Sequence, residues 1–261
     1  GVQTCALPIF GPFAPGFITI PFGDADALEW AITPNTVAFL VEPIQGEGGI
    51  IIPPAGYLKK VREICDKHGI LLIFDEVICG FGRTGDTFGA ARFDVTPDLM
   101  TLAKGLTSGT VPMGGVLASK HIYDTFMTGP DGAIEFFHGY TYSGHPLAAA
   151  AACAALDVYV DDGLFERAAS MEGKFSDALH SLKGEPNVID VRSIGLIGAV
   201  ELESIDGQPT ARAMSIFREC YDNGVIVRTT GDTLAFSPPL IINDAEIEMM
   251  IETVRTALRA Q

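Results

Sequence analysis

The chain has 261 residues, with 33 acidic against 17 basic side chains and a formal charge of −16. That balance repels nucleic acid and anionic membranes, and no apolar run reaches the length needed to span a bilayer. Hydrophobic residues make up 48% and charged ones only 19%, which provides a substantial core and leaves surface for a subunit interface. The five cysteines (Cys5, Cys65, Cys79, Cys153, Cys220) are an odd set without CxxC spacing. They read as reduced thiols of a cytoplasmic protein, with neither disulfides nor a metal site expected.

In chain order, Gly1–Ile9 has no initiator methionine, cap or period and reads as a cut or foreign end. Val37–Glu42 is a short buried strand stopped by Pro43, and Gln45-Gly46-Glu47-Gly48-Gly49 is a glycine-rich turn open to close approach of a ligand. After Pro53-Pro54, a helix places Leu58, Val61, Ile64 and Cys65 on one stripe and stops at Gly69. Ile70–Phe74 then runs straight into Asp75-Glu76-Val77, the pattern of a strand buried on both faces that delivers a charge to the carboxyl edge of a parallel sheet. Strand, helix and strand make a right-handed βαβ unit.

The loop Gly80-Phe81-Gly82-Arg83-Thr84-Gly85 is either an anion site or a tight structural turn. Leu99–Ala103 gives a third strand ending at Lys104-Gly105, and Gly114–Ala118 a fourth. A polar aromatic loop, His138–His145, precedes a helix that starts at Pro146, and its hydroxyls and N–H groups suit a phosphate. Beyond Gly163 helices and strands alternate differently, over Val188–Arg192, Leu196–Leu202, Ala211–Tyr221, Val225–Arg228 and Thr233–Phe236. A last helix has Ile247, Met250, Ile251, Val254 and Leu258 on one face and Asn243 as its cap. The expected organisation is α/β, with a large domain over residues 1–162 and a small α+β domain over 163–261.

A buried acid (Asp75) and a buried amine (Lys104), each at a strand tip on the ligand-binding edge, point to a cofactor held between them. The carboxylate would pair with a cationic ring nitrogen, and a desolvated lysine would attack a carbonyl. Two rival readings exist. An apolar strand ending in Asp-Glu is also the magnesium strand of P-loop NTPases, although the GxxxxGK[ST] loop is absent. Lys104 alone also reads as a snorkelling surface lysine.

Taken together, Val41-Glu42-Pro43-Ile44-Gln45-Gly46-Glu47-Gly48-Gly49, Phe74-Asp75-Glu76-Val77, Gly80–Gly85, Pro97–Gly105 and His138-Gly139-Tyr140-Thr141-Tyr142 resemble the class III pyridoxal-phosphate aminotransferases, in the family's order and spacing, from about Phe10 to Leu258. The resemblance implies the fold type I of pyridoxal-phosphate transferases, with a mostly parallel sheet in the large domain. Pyridoxal 5'-phosphate is the implied cofactor. Lys104 would hold it covalently and move a proton at the substrate carbon. Asp75 would keep the ring nitrogen protonated, Val77 would pack on a ring face, and Glu42 would sit with them. Thr141 would reach the phosphate of a partner subunit, so a homodimer with shared sites is implied. Arg228 would meet the carboxylate of a keto acid and swing aside for an amine without one.

Within the family, Phe136–Tyr159 and Val225–Leu234 resemble the ω-amino acid (β-alanine):pyruvate transaminases. Ile78 agrees with that branch, since many other members carry glutamine there. Glu47 and Phe10–Phe17 instead resemble the ornithine-type branch, in which the glutamate is a gate paired with an arginine. That arginine would fall near Ala235 and is missing, so Glu47 lacks a partner unless Arg228 serves. Family members also carry a longer N-terminal part with phosphate- and ring-binding residues. An ornithine-type δ-aminotransferase and a catalytically incompetent fragment therefore stay open as alternatives.

Overall fold

The computed structural model describes residues 15–132, 136 and 138–261. The readings of Gly1–Ile9 and of most of Phe10–Phe17 lie outside these residues. The first sheet has the order β1 (Ala38–Val41), β2 (Leu71–Asp75), β3 (Leu99–Leu102), β4 (Gly115–Ala118). β1, β2 and β3 are parallel, and β4 returns antiparallel. Helix α1 (Ala25–Ala31) is capped by Asp24, whose carboxylate accepts the Asp26 and Ala27 N–H groups. Helix α2 (Tyr57–His68) ends as expected at Gly69, in the left-handed region at φ 65°. Its stripe of Leu58, Val61, Ile64 and Cys65 packs on Leu72 and Phe74.

The expectation that β2 is buried on both faces is corrected. Leu72 and Phe74 are fully buried, whereas Leu71, Ile73 and Asp75 are half-buried. The pleat sends alternate residues to opposite faces, and α2 fills only one of them. β4 goes further, with Val116 and Leu117 exposed.

Short helices α3 (Gly89–Arg92) and α4 (Lys120–Phe126) flank β3 and β4 in sequence. The remaining elements are α5 (Pro146–Asp161), α6 (Leu164–His180), β5 (Val188–Ile194), β6 (Ile197–Leu202), α7 (Ala211–Asp222), β7 (Arg228–Thr230), β8 (Thr233–Phe236) and α8 (Asp244–Arg259). β5, β6, β8 and β7, in that order, form a second, wholly antiparallel sheet. Asn243 and Glu246 close a reciprocal capping box at the start of α8, and Ile247, Ile251, Val254 and Leu258 face the core as the periodicity requires. The expected strand Val225–Arg228 is displaced. Val225 and Val227 are buried in the core, but the Val225 N–H is taken by Cys220 O at the end of α7, so pairing starts at Arg228.

The loop after β2 is tied to the second sheet at the β5–β6 corner. Leu196 N–H donates to Arg83 O (3.0 Å), and Arg83 Nη1 donates to Leu196 O (2.8 Å) and Pro238 O (2.6 Å). Gly195 makes this possible, with φ +55° and its Cα against the backbone of Arg83, Thr84 and Gly85. Gly195→Ala is expected to destabilise the protein by about 3 kcal/mol, read as a fall in the denaturation midpoint. A change within about 0.5 kcal/mol would show that the corner can move aside.

Candidate active site

Parallel pairing of β2 with β3 sets Asp75 beside Thr101 and brings both strand ends to one edge. Asp75 Oδ1 accepts from Thr101 Oγ1 (3.1 Å) and from the Val77 N–H (3.0 Å), which fixes the carboxylate's orientation. Thr101 was not singled out in the sequence, because its partnership depends on strand register.

Lys104 opens a 3-10 turn, Lys104–Thr107, at φ +45°, a left-handed conformation that a non-glycine residue adopts at a cost of about 1–2 kcal/mol. Two neighbours hold it there. Phe81 packs against Gly105 so closely that a Cβ would lie 2.7 Å from its side chain, and the Tyr159 hydroxyl donates to Gly105 O at 2.8 Å. Phe81 and Tyr159 stack with ring centroids 5.8 Å apart. The turn projects Lys104 into a cavity of about 640 Å³ that Glu47, Val77, Ile78, Phe81 and Arg228 also line.

The expected burial of Lys104 is corrected. Lys104 is exposed, and among the described residues no acceptor lies within hydrogen-bond distance of its Nζ. Turning out of the sheet edge takes the amine away from the core instead of into it. Asp75 is half-buried and does not line the cavity, whereas Val77, which donates its N–H to Asp75, does.

Glu42, half-buried at the end of β1, accepts the Gly46 N–H at 2.9 Å and so shapes the glycine turn. Burial pushes its carboxyl above the ordinary range, opposed by that N–H and by the charge of Lys104. Gly46 lies against Ile78 with no room for a Cβ. The turn presents Glu47 to Arg228, and Nη2 to Oε2 is 2.6 Å. Arg228 therefore serves as the partner that Glu47 lacked in the sequence, across 181 positions.

The glycine loop after β2 acts as a structural tie through Arg83, not as a free anion loop. Burial pulls the Arg83 guanidinium down to about 10. Glu76 is fully buried and accepts the Gly89 and Ala90 N–H groups at 2.9 and 2.6 Å. Thr141 is exposed and does not line the Lys104 cavity.

With this geometry in place, the family profile "Aminotransferase class-III" matches residues 8–258. The chain belongs to the class III aminotransferases. An aminotransferase named omega-aminotransferase, from Caulobacter vibrioides, is 56% identical over 224 residues, 86% of this chain and 51% of its own length. Beta-alanine–pyruvate aminotransferase from Pseudomonas aeruginosa is 49% identical over 226 residues, 86% of this chain and 50% of its own. Ornithine aminotransferase from Brevibacillus brevis is 39% identical over 250 residues, 95% of this chain and 59% of its own.

A solved aminotransferase from Bacillus anthracis superposes with a TM-score of 0.84 at 36% identity, covering 91% of this chain and 55% of that one. The fold is that of the fold type I transaminases. The chain spans about half the length of the curated aminotransferases it matches. The P-loop NTPase reading falls with the family assignment. No helix among the described residues is long and apolar enough to cross a membrane.

Proposed function

We propose that the full-length protein is a pyridoxal 5'-phosphate-dependent aminotransferase that moves an amino group from an ω-amino acid such as β-alanine to pyruvate. We further propose that it works as a cytoplasmic homodimer with shared sites. The observation that supports this reading is Lys104 on the wall of a cavity that also carries Val77, whose N–H holds the Asp75 carboxylate, and the paired Glu47 and Arg228. The higher identity to the ω-amino acid enzymes than to the ornithine enzyme favours the ω branch.

The residues suit the cofactor at its ring. A primary amine without a protein partner suits a carbonyl, and a fixed carboxylate suits a protonated ring nitrogen. When bound, the cofactor supplies an electron sink for the carbon that carries the amino group. Asp75 would hold a proton on the ring nitrogen, and Thr101 and the Val77 N–H would keep it aimed there. Lys104 would take the proton from the substrate carbon that bears the amino group and pass it to C4′ of the cofactor. Val77 would pack on the ring. Glu42 would hold the glycine turn that closes this side.

Thr141 would act at the phosphate of the partner's site, which accords with its absence from the lining of this chain's own cavity. Apolar residues exposed on β4, such as Val116 and Leu117, would be covered by the rest of the protein or by that partner. The division at 162/163 would separate the cofactor-binding domain from the small domain that carries Arg228.

Arg228 would bind the keto acid's carboxylate through its planar fork, in competition with Glu47. Arg228→Ala is therefore expected to raise KM for pyruvate roughly 10- to 100-fold while sparing an amine donor without a carboxylate. A uniform loss for both substrates would point to misfolding of the cavity wall instead. The test of the function as a whole is a donor screen against pyruvate. Alanine should form with β-alanine and not with ornithine; formation from ornithine alone would place the enzyme in the other branch.

A further inference from the structure

Resting on that reading of Glu47 and Arg228, we infer that Arg192 is a positioning residue for carboxylate specificity: it fixes the turn that carries Glu47, so that Glu47 meets Arg228. The turn is closed by its own bonds, from the Gly49 and Ile50 N–H groups to Gly46 O and across the Gln45–Ile51 bridge, but it holds strained backbone. Gly49 has φ +107°, and Ile50, β-branched and buried, has φ +56°. A left-handed β-branched residue persists only where its surroundings impose it. Those surroundings include the guanidinium of Arg192. Its Nε donates to Gly49 O (3.0 Å) and Ile50 O (3.1 Å), and its Nη2 donates to Gly49 O (2.7 Å). The Nη1 end is anchored by Asp190 (2.7 Å) and Glu201 (2.6 Å).

The sheet register explains why this works. Arg192 on β5 is paired with Ala199 on β6, Ala199 with Ala235 on β8, and Ala235 with Arg228 on β7. The two arginines thus end one cross-strand row, roughly 14 Å apart at the usual strand spacing, with side chains on the same face. The two alanines between them leave room for the turn. Ile50 fills that room, packed with Ile194, Ile197 and Ala199 and with Ala235 alongside. One sheet therefore grips the turn at two points: Arg192 holds its carbonyls and Arg228 its carboxylate. The first grip is fixed, and the second is the one an incoming carboxylate has to break.

The test is a double-mutant cycle in the full-length enzyme, reading KM for pyruvate with an amine donor that has no carboxylate. Glu47→Gln frees Arg228 and is expected to lower KM about two- to fivefold, the range of an exposed ion pair. Arg192→Met should lower KM to a similar extent, with kcat moved less than KM. The double variant should show no further fall. Arg192→Lys keeps the charge beside Asp190 and Glu201 but not the fork across two carbonyls, and should also lower KM; it guards against misfolding of the methionine variant. Wild-type KM in both Arg192 variants, or additive effects in the double variant, would overturn the inference. An unchanged KM in Glu47→Gln would instead overturn the gating role of the ion pair, and this inference with it.

Discussion

Replacing Lys104 by alanine in the full-length protein is expected to lower transamination about a thousandfold or more, because on the proposed reading one residue would supply both the covalent attachment and the proton transfer. The substitution is unusually clean. The Lys104 side chain is exposed and has no hydrogen-bond partner among the described residues, so no core contact and no buried pair is lost. Alanine at φ +45° carries the same backbone cost as lysine. The turn keeps its Phe81 and Tyr159 supports, which act on Gly105. Thermal unfolding of the cofactor-free protein should therefore change little, while activity and the cofactor's absorbance on the protein disappear. A Lys104→Ala enzyme that retained a tenth of its rate would remove the lysine from the chemistry.

Asp75→Asn should cost about 10²- to 10³-fold in kcat/KM. Asparagine keeps a side-chain oxygen that can accept from Thr101 and the Val77 N–H, so the strand end should hold its shape. What would be lost is the negative charge proposed to face a cationic ring nitrogen. Taking one partner from such a covered pair costs about 3–5 kcal/mol, and each 1.4 kcal/mol is about tenfold in rate. The comparison is best made at saturating cofactor, so that weakened binding does not pass for slowed chemistry. Near-normal kcat/KM for Asp75→Asn would mean that the carboxylate only supports the strand end.

Much of this molecule was legible in its sequence where a local rule decides the outcome. The α2 stripe with Gly69 behind it, the Asn243 cap of α8 and the apolar run into Asp75 each carry their signal within a dozen residues. The same run misled on burial. Five apolar residues in a row do not say whether helices cover both faces, and among the described residues α2 covers one. For Lys104, the strand that precedes it suggested burial, but the left-handed φ at that position turns the side chain out of the edge. Val225–Arg228 had strand composition, yet the helix end claimed Val225 first.

The long-range parts were illegible for a simple reason. Glu47 and Arg228 are 181 positions apart, and the row joining Arg192 to Arg228 depends on the registers of three strand pairs. Motif reading placed Glu47 in one branch of the family and Arg228 in the other. Geometry makes them a pair, with Ala199 and Ala235 as the gap that admits the turn.

On the proposed reading, Lys104 and Asp75 take the two ends of one aromatic aldehyde. Borohydride reduction of the full-length protein with pyridoxal phosphate, followed by mass mapping of its peptides, tests it most directly. The added pyridoxyl mass is expected on the peptide containing Lys104 and on no other lysine of the chain. A protein that carries no adduct there, or carries it on a different lysine, would contradict it.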